Sequence, residues 1–90
     1  MLKSITTKQF HKDIKKVKKQ GRDIDKLKNI MIKLINEIPL PAKNKDHKLT
    51  GNYNHHRECH ITPDWLLIYK IIKNELIFER TGTHSELLKK

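Results

Sequence analysis

The sequence predicts an α+β fold in which two antiparallel N-terminal helices pack on a small antiparallel β-sheet, in the order β-α-α-β-β-β. Three observations predict it. Apolar residues recur at helical spacing from Phe10 to Ile38, and β-branched and aromatic residues crowd three short runs after His55. The chain has 90 residues, below the roughly 100 to 150 of a typical domain, so residues 1–90 are read as one domain with one small core.

Each element has a local reason. Leu2 to Ile5 suits a short edge strand, and Thr6 with Gln9 three residues on has the form of a capping box that opens a helix. Phe10, Ile14 and Val17 then fall on one stripe while lysines cover the rest, until Gly21 offers a C-terminal cap near Gln20. Asp23 caps a second helix whose Ile24, Leu27, Met31, Leu34, Ile35 and Ile38 recur at helical spacing, and Pro39 and Pro41 end it. Residues 42–54 are polar and Lys-rich, with Leu49 the one clear anchor, and are expected to form a loop that carries His47.

Residues 55–62, 65–72 and 75–81 read as three strands of a meander, separated by Thr62-Pro63-Asp64 and Lys73-Asn74. Centring the second hairpin on Lys73-Asn74 sets Leu67 opposite Arg80 and Tyr69 opposite Phe78. Centring the first on Pro63-Asp64 sets His60 opposite Leu67. The expected result is one cross-strand row, His60–Leu67–Arg80, with Asp64, Trp65 and His84 gathered at the same end of the sheet. A one-residue slip would move His60 and Arg80 to different faces.

Composition narrows the function. Twenty Lys and Arg against ten Asp and Glu give a formal net charge of +10 and a pI near 9.9, which calls for a polyanionic partner. The apolar runs are too short to span a bilayer, so no membrane association is expected. No secretory signal is visible and the single Cys59 cannot form an internal disulfide, which places the expected site of action in the cytoplasm.

Six histidines raise the question of a metal. His56 and His60 have the i, i+4 spacing of a helical zinc site, but on an extended strand that spacing separates the rings by roughly 13 Å. No metal or other cofactor is expected. The alternative is acid–base chemistry on RNA, whose 2′-hydroxyl is an internal nucleophile. A base removes its proton, the oxygen attacks the adjacent phosphorus, and an acid protonates the departing 5′-oxygen. A cation must stabilise the added negative charge, and the planar fork of Arg80 suits phosphate oxygens. Arg80 could equally pair with Glu58 or Glu79, His84 could be a solvated loop residue, and Trp65 could belong to the core.

The segments Asp46-His47-Lys48-Leu49-Thr50-Gly51, Arg57-Glu58-Cys59-His60, Pro63-Asp64-Trp65-Leu66-Leu67-Ile68-Tyr69-Lys70 and Phe78-Glu79-Arg80-Thr81-Gly82-Thr83-His84-Ser85 resemble the YafQ branch of the RelE superfamily of toxins. The resemblance covers nearly the whole chain. It implies a RelE-like fold, cleavage of mRNA, usually at the ribosome, and neutralisation by a cognate acidic antitoxin. It also implies a catalytic set of His47, His60, Asp64, Arg80 and His84, with Trp65, Lys48, Arg57 and Leu88 as substrate contacts. Leu88 departs from the branch, which commonly has an aromatic there to stack on a base. Two other readings compete: a non-catalytic RNA- or ribosome-binding module explains the lysines but not the histidines, and a DNA-binding helix pair lacks side chains suited to base edges.

Overall fold

The computed structural model describes residues 1–87. The order is β1 (Lys3–Thr6), α1 (Lys8–Lys19), α2 (Ile24–Ile35), β2 (His47–Lys48), β3 (Arg57–Thr62), β4 (Trp65–Ile72), β5 (Glu75–Gly82) and α3 (His84–Leu87). The helices pack on a five-stranded sheet in the order β1-β5-β4-β3-β2. The expected sheet was wholly antiparallel, but β1 pairs parallel to β5, Ile5 opposite Ile77. A strand at the start of the chain can lie beside one at the end because the two helices carry the chain back across the sheet.

The helix boundaries differ from expectation by small amounts with local causes. Thr7 rather than Thr6 caps α1, its hydroxyl accepting from Phe10 N at 3.0 Å, and Gln9 bonds Asp13 instead of closing a capping box. Asp23 caps α2 as expected, accepting from Asp25 N. The second helix stops at Ile35 rather than reaching the prolines, because Glu37 takes the left-handed conformation (φ 58°) and Ile38 N turns back to Lys33 O. The expected loop 42–54 holds two 3₁₀ turns, Ala42–Asn44 and Gly51–Tyr53, and between them β2, which pairs His47 with Glu58.

One face of the sheet carries the main core. Phe10 and Val17 of α1 and Leu27, Ile30 and Leu34 of α2 bury against Cys59, Trp65, Leu67, Tyr69, Leu76 and Phe78. On the opposite face Leu66 and Ile68 bury under Leu87, with Leu49 and Tyr53 packed beside them. β4 is buried on both faces, hence its continuous apolar run. No helix is long and apolar enough to cross a membrane among the described residues.

Candidate active site

His47, His60 and Arg80 lie on the face opposite α1 and α2, and two β-bulges set their rows. The expected register was wrong at two of its three pairs. Tyr69 does face Phe78, but His60 faces Leu66 and Arg80 faces Ile68, because irregularities between His60 and Thr62 and between Ile68 and Tyr69 each insert one residue. Leu67 therefore points to the core. The two shifts keep His60 and Arg80 on one face, in adjacent rows: His60–Leu66–Gly82, and His47–Glu58–Ile68–Arg80.

Three imidazoles converge there. The ring centroids of His47 and His60 are 6.5 Å apart, and those of His60 and His84 are 5.7 Å apart. Between them stands Glu58, only 2% exposed. Its Oε2 lies 3.1 Å from His47 Nε2 and 3.8 Å from His60 Nε2. His47 Nδ1 lies 2.6 Å from Lys45 O and His60 Nδ1 3.3 Å from Pro63 O. Carbonyls only accept, so both rings donate through Nδ1 and turn Nε2 inward.

Arg80 is held from the other side. Its Nε donates to Asp13 Oδ2 at 2.7 Å and its Nη2 to Asp13 Oδ1 at 3.2 Å, and the same Oδ2 accepts Thr81 N at 3.1 Å. β1 covers the edge of β5 only as far as Phe78, so Asp13 takes the place of a strand partner for Thr81. The carboxylate raises the guanidinium's pKa further above its ordinary value. Neither Glu58 nor Glu79 is the partner. A cleft of about 340 Å³ between α1, β5 and α3 leaves the guanidinium open to a ligand.

His84 begins α3, which a capping box holds: Thr83 N donates to Glu86 Oε1 at 2.8 Å and Glu86 N to Thr83 Oγ1 at 3.3 Å. Lys16 Nζ on Glu86 Oε2 at 2.6 Å ties α3 to α1 and, with the Thr83 amide, pulls the Glu86 carboxyl down to about 2.

Asp64 and Trp65 stand apart from this cluster. The exposed Asp64 carboxylate is bridged by Arg22, both oxygens at 3.4 Å, and lies 3.2 Å from Thr62 Oγ1; Arg22 is the main cause of its lowered pKa. Trp65 is 1% exposed, its Nε1 bonded to Thr81 Oγ1 at 2.8 Å and its ring covered by Arg22. It is a core residue and presents no face to a substrate. Lys48 is exposed beside His47, whereas Arg57 is tied by Nε to Asp46 at 3.1 Å. Leu88 lies outside the described residues.

Sequence reasoning missed Asp13, Glu58 and Glu86. Each left a signal: Asp13 is the one acid of α1 and falls inside its apolar stripe, Glu58 alternates with His60 on one strand face, and Thr83-x-x-Glu86 is a capping-box pattern. Among the described residues the one group close enough to share a metal ion is Glu58, His60 and His84, whose donor atoms lie within 4.8 Å of one another. This is a carboxylate–imidazole set suited to a transition metal, and His56 is not part of it.

Helices on a mixed sheet, with imidazoles around a buried carboxylate and an arginine clamped at the sheet edge, define a small basic protein built for phosphate chemistry. The model of the bacterial toxin of type II toxin–antitoxin system, YafQ, matches residues 2–89. The chain belongs to this toxin family. It is 50% identical over 80 residues to the mRNA interferase toxin YafQ of Escherichia coli K12, covering 88% of this chain and 87% of that one. The fold matches YafQ in the E. coli DinJ–YafQ complex with a TM-score of 0.91 at 45% identity, over 98% of this chain and 99% of that one. It also matches a metal-bound toxin from Helicobacter pylori with a TM-score of 0.91 at 46% identity, over 98% of this chain and all (100%) of that one.

Proposed function

We propose that this toxin is an endoribonuclease that cuts mRNA by attack of a 2′-hydroxyl on the adjacent phosphate. The observation that carries the reading is the cluster of His47, His60 and His84, with ring centroids 6.5 and 5.7 Å apart in sequence along the cluster, on the face that also carries Arg80. His47 or His60 takes the 2′-hydroxyl proton through Nε2, the new O–P bond forms as the P–O5′ bond breaks, and His84 gives a proton to the 5′-oxygen. Arg80, aligned by Asp13, stabilises the charge on the phosphorane. Asp64 stays ionised beside Arg22 and acts as an orienting carboxylate at the rim. Lys48 and Arg57 flank the site as phosphate contacts, and Leu88 supplies apolar packing for a base.

No metal has a place in this scheme: an ion held by Glu58, His60 and His84 would occupy the lone pairs that move protons. The E. coli relative is called an mRNA interferase and another E. coli structure pairs YafQ with DinJ, which supports mRNA as the substrate here and an acidic antitoxin as the partner of a chain with charge +10. The ribosome is the expected setting and the cytoplasm the expected compartment, with residues 1–90 acting as one domain.

The test is cleavage of a defined RNA by purified protein, with and without ribosomes. Products ending in a 2′,3′-cyclic phosphate and a 5′-hydroxyl are expected, and a single 2′-deoxy substitution should abolish the cut at that site. Cleavage that survives the deoxy substitution overturns the mechanism. Failure to cleave in either setting, with translation stalled in proportion to RNA affinity, returns the non-catalytic binding module.

A further inference from the structure

Beside the imidazole cluster, at the far end of β3 and β4, lies a groove of about 730 Å³ of which the chemistry above uses only Lys48 and Arg57, at its border. It exists because β3 stops pairing at Arg57–Tyr69 while β4 runs on to Ile72. His56 turns away, its N–H donating to Tyr53 O and its carbonyl accepting from Leu49 N. His55 is held in the left-handed conformation at φ 72°, which is uncommon for a residue with a Cβ. The backbone edge of residues 70–72 therefore has no strand on the β3 side.

The lining has two chemistries. Lys48, Arg57 and Lys70 supply positive groups; Arg57 is bridged to Asp46 and Lys70 Nζ lies 3.9 Å from Glu79 Oε1, while no carboxylate lines the groove itself. Leu49 and Ile72 supply an apolar floor on the outer face, Ile72 being 47% exposed, and Ile71 borders the groove from the helix side of β4. A cation rim over an apolar floor, in a volume within the roughly 300 to 1,000 Å³ of small-ligand sites, fits a nucleotide with its phosphate and base. The groove is also continuous with the cluster. Lys70 lies two residues beyond Ile68 of the His47–Glu58–Ile68–Arg80 row, on the same sheet face, a step of about 7 Å along β4.

We propose that this groove is a nucleotide subsite of the RNA substrate, holding the phosphate and base next beyond those at the cut. Its cations grip the phosphate and Leu49 and Ile72 pack on the base. The inference rests on the nuclease reading and extends it: RNA would run along the outer sheet face from His84 towards Ile72. An acidic antitoxin peptide adding to the free β4 edge is the competing occupant. The groove's continuity with the scissile site favours RNA.

The experiment measures binding of short RNA oligonucleotides carrying 2′-deoxyribose at the cleavage position, so that nothing is cut. A core dinucleotide is compared with oligonucleotides extended by one or two nucleotides at the 5′ or the 3′ end, or by an abasic unit. Extension at one end is expected to raise affinity roughly 5- to 10-fold, and the abasic unit to recover only part of this. In the double variant Lys70→Ala/Ile72→Ser the gain should fall below about twofold, while Lys28→Ala, on the exposed side of α2, keeps it. The quantity read is the ratio of long to short, and parental affinity for the core dinucleotide shows that the double variant keeps its fold. A gain that survives in the double variant overturns the proposal. If the variants lose antitoxin affinity and keep the gain, the groove belongs to the antitoxin and the proposal also falls. A parent that cleaves RNA without any extension gain overturns the subsite alone, whereas a parent that neither binds nor cleaves RNA overturns the nuclease reading with it.

Discussion

Asp13→Asn tests whether Arg80 works because it is held. Asp13 is 5% exposed and accepts four hydrogen bonds: two from Arg80, one from Thr81 N and one from Gln9 Nε2 at 3.1 Å. The amide keeps the shape, so the oxygen in place of Oδ2 can still serve Arg80 Nε and Thr81 N. The new NH₂ then faces Arg80 Nη2, and a charge-assisted bond becomes a donor–donor clash. A hydrogen bond to a charged group is worth about 1.5–3 kcal/mol. The Arg80 side chain is 26% exposed and water replaces part of the loss, so the expected destabilisation is about 2 kcal/mol. For a domain of this size that lowers Tm by roughly 8–16 °C. Cleavage, measured well below the variant's Tm, should fall about 10- to 100-fold because the guanidinium is no longer aligned on the phosphate. Structural damage alone would lower the rate independently of Arg80, so a double-mutant cycle decides between the two. If Asp13 acts through Arg80, adding Asp13→Asn to Arg80→Ala costs little further rate. Cleavage by Asp13→Asn at the parental rate, or losses that multiply, would refute the reasoning.

Four further outcomes are expected. Arg80→Ala should lose roughly 10²-fold or more in cleavage, and His84→Gln about 10²- to 10⁴-fold with RNA affinity retained; parental rates in both would remove these residues from the site. Glu86→Gln keeps the capping box and loses the Lys16 bridge. Because the Glu86 carboxyl is lowered from 4.5 to about 2 on folding, its contribution is present above pH 4.5 and disappears as pH falls towards 2. With Lys16 59% exposed, screening leaves about 1 kcal/mol, so denaturant melts of parent and variant should differ by that at pH 7 and converge near pH 2. RNA cleavage without ribosomes should survive EDTA and slow when zinc is added, through capture of Glu58, His60 and His84; loss with chelator and recovery with zinc would reverse the metal-free reading. Cys59 is fully buried and burial pushes its thiol up to about 12, so iodoacetamide at pH 8 should label it in denaturant and leave the native protein unmodified.

The helices, the meander and the nature of the ligand were determined by the sequence alone, because each depends on patterns that hold within a few residues. The Phe10–Ile14–Val17 stripe is a property of one turn of chain after another, and a balance of twenty basic to ten acidic residues needs no fold to demand a polyanion. Even the placing of His60 and Arg80 on one face followed from strand alternation. The row itself did not. Two bulges replaced Leu67 by Leu66 and Ile68, and a bulge is decided by how a strand packs against both neighbours, which no turn motif encodes.

Only tertiary structure decided who holds the proposed catalytic groups. Asp13 lies 67 residues before Arg80 along the chain, and it reaches the guanidinium because β1 leaves the end of β5 uncovered. Glu58 was legible as a neighbour of His60, but its place between two imidazoles required β2 to form inside a segment that reads as loop. Trp65 marks the opposite case: the motif that carries it looks functional, while the packed sheet turns its ring into the core and commits its N–H to Thr81. Local chemistry names candidates for a site; the choice among them rests on long-range packing, which sets which face each side chain occupies and which partner desolvates it.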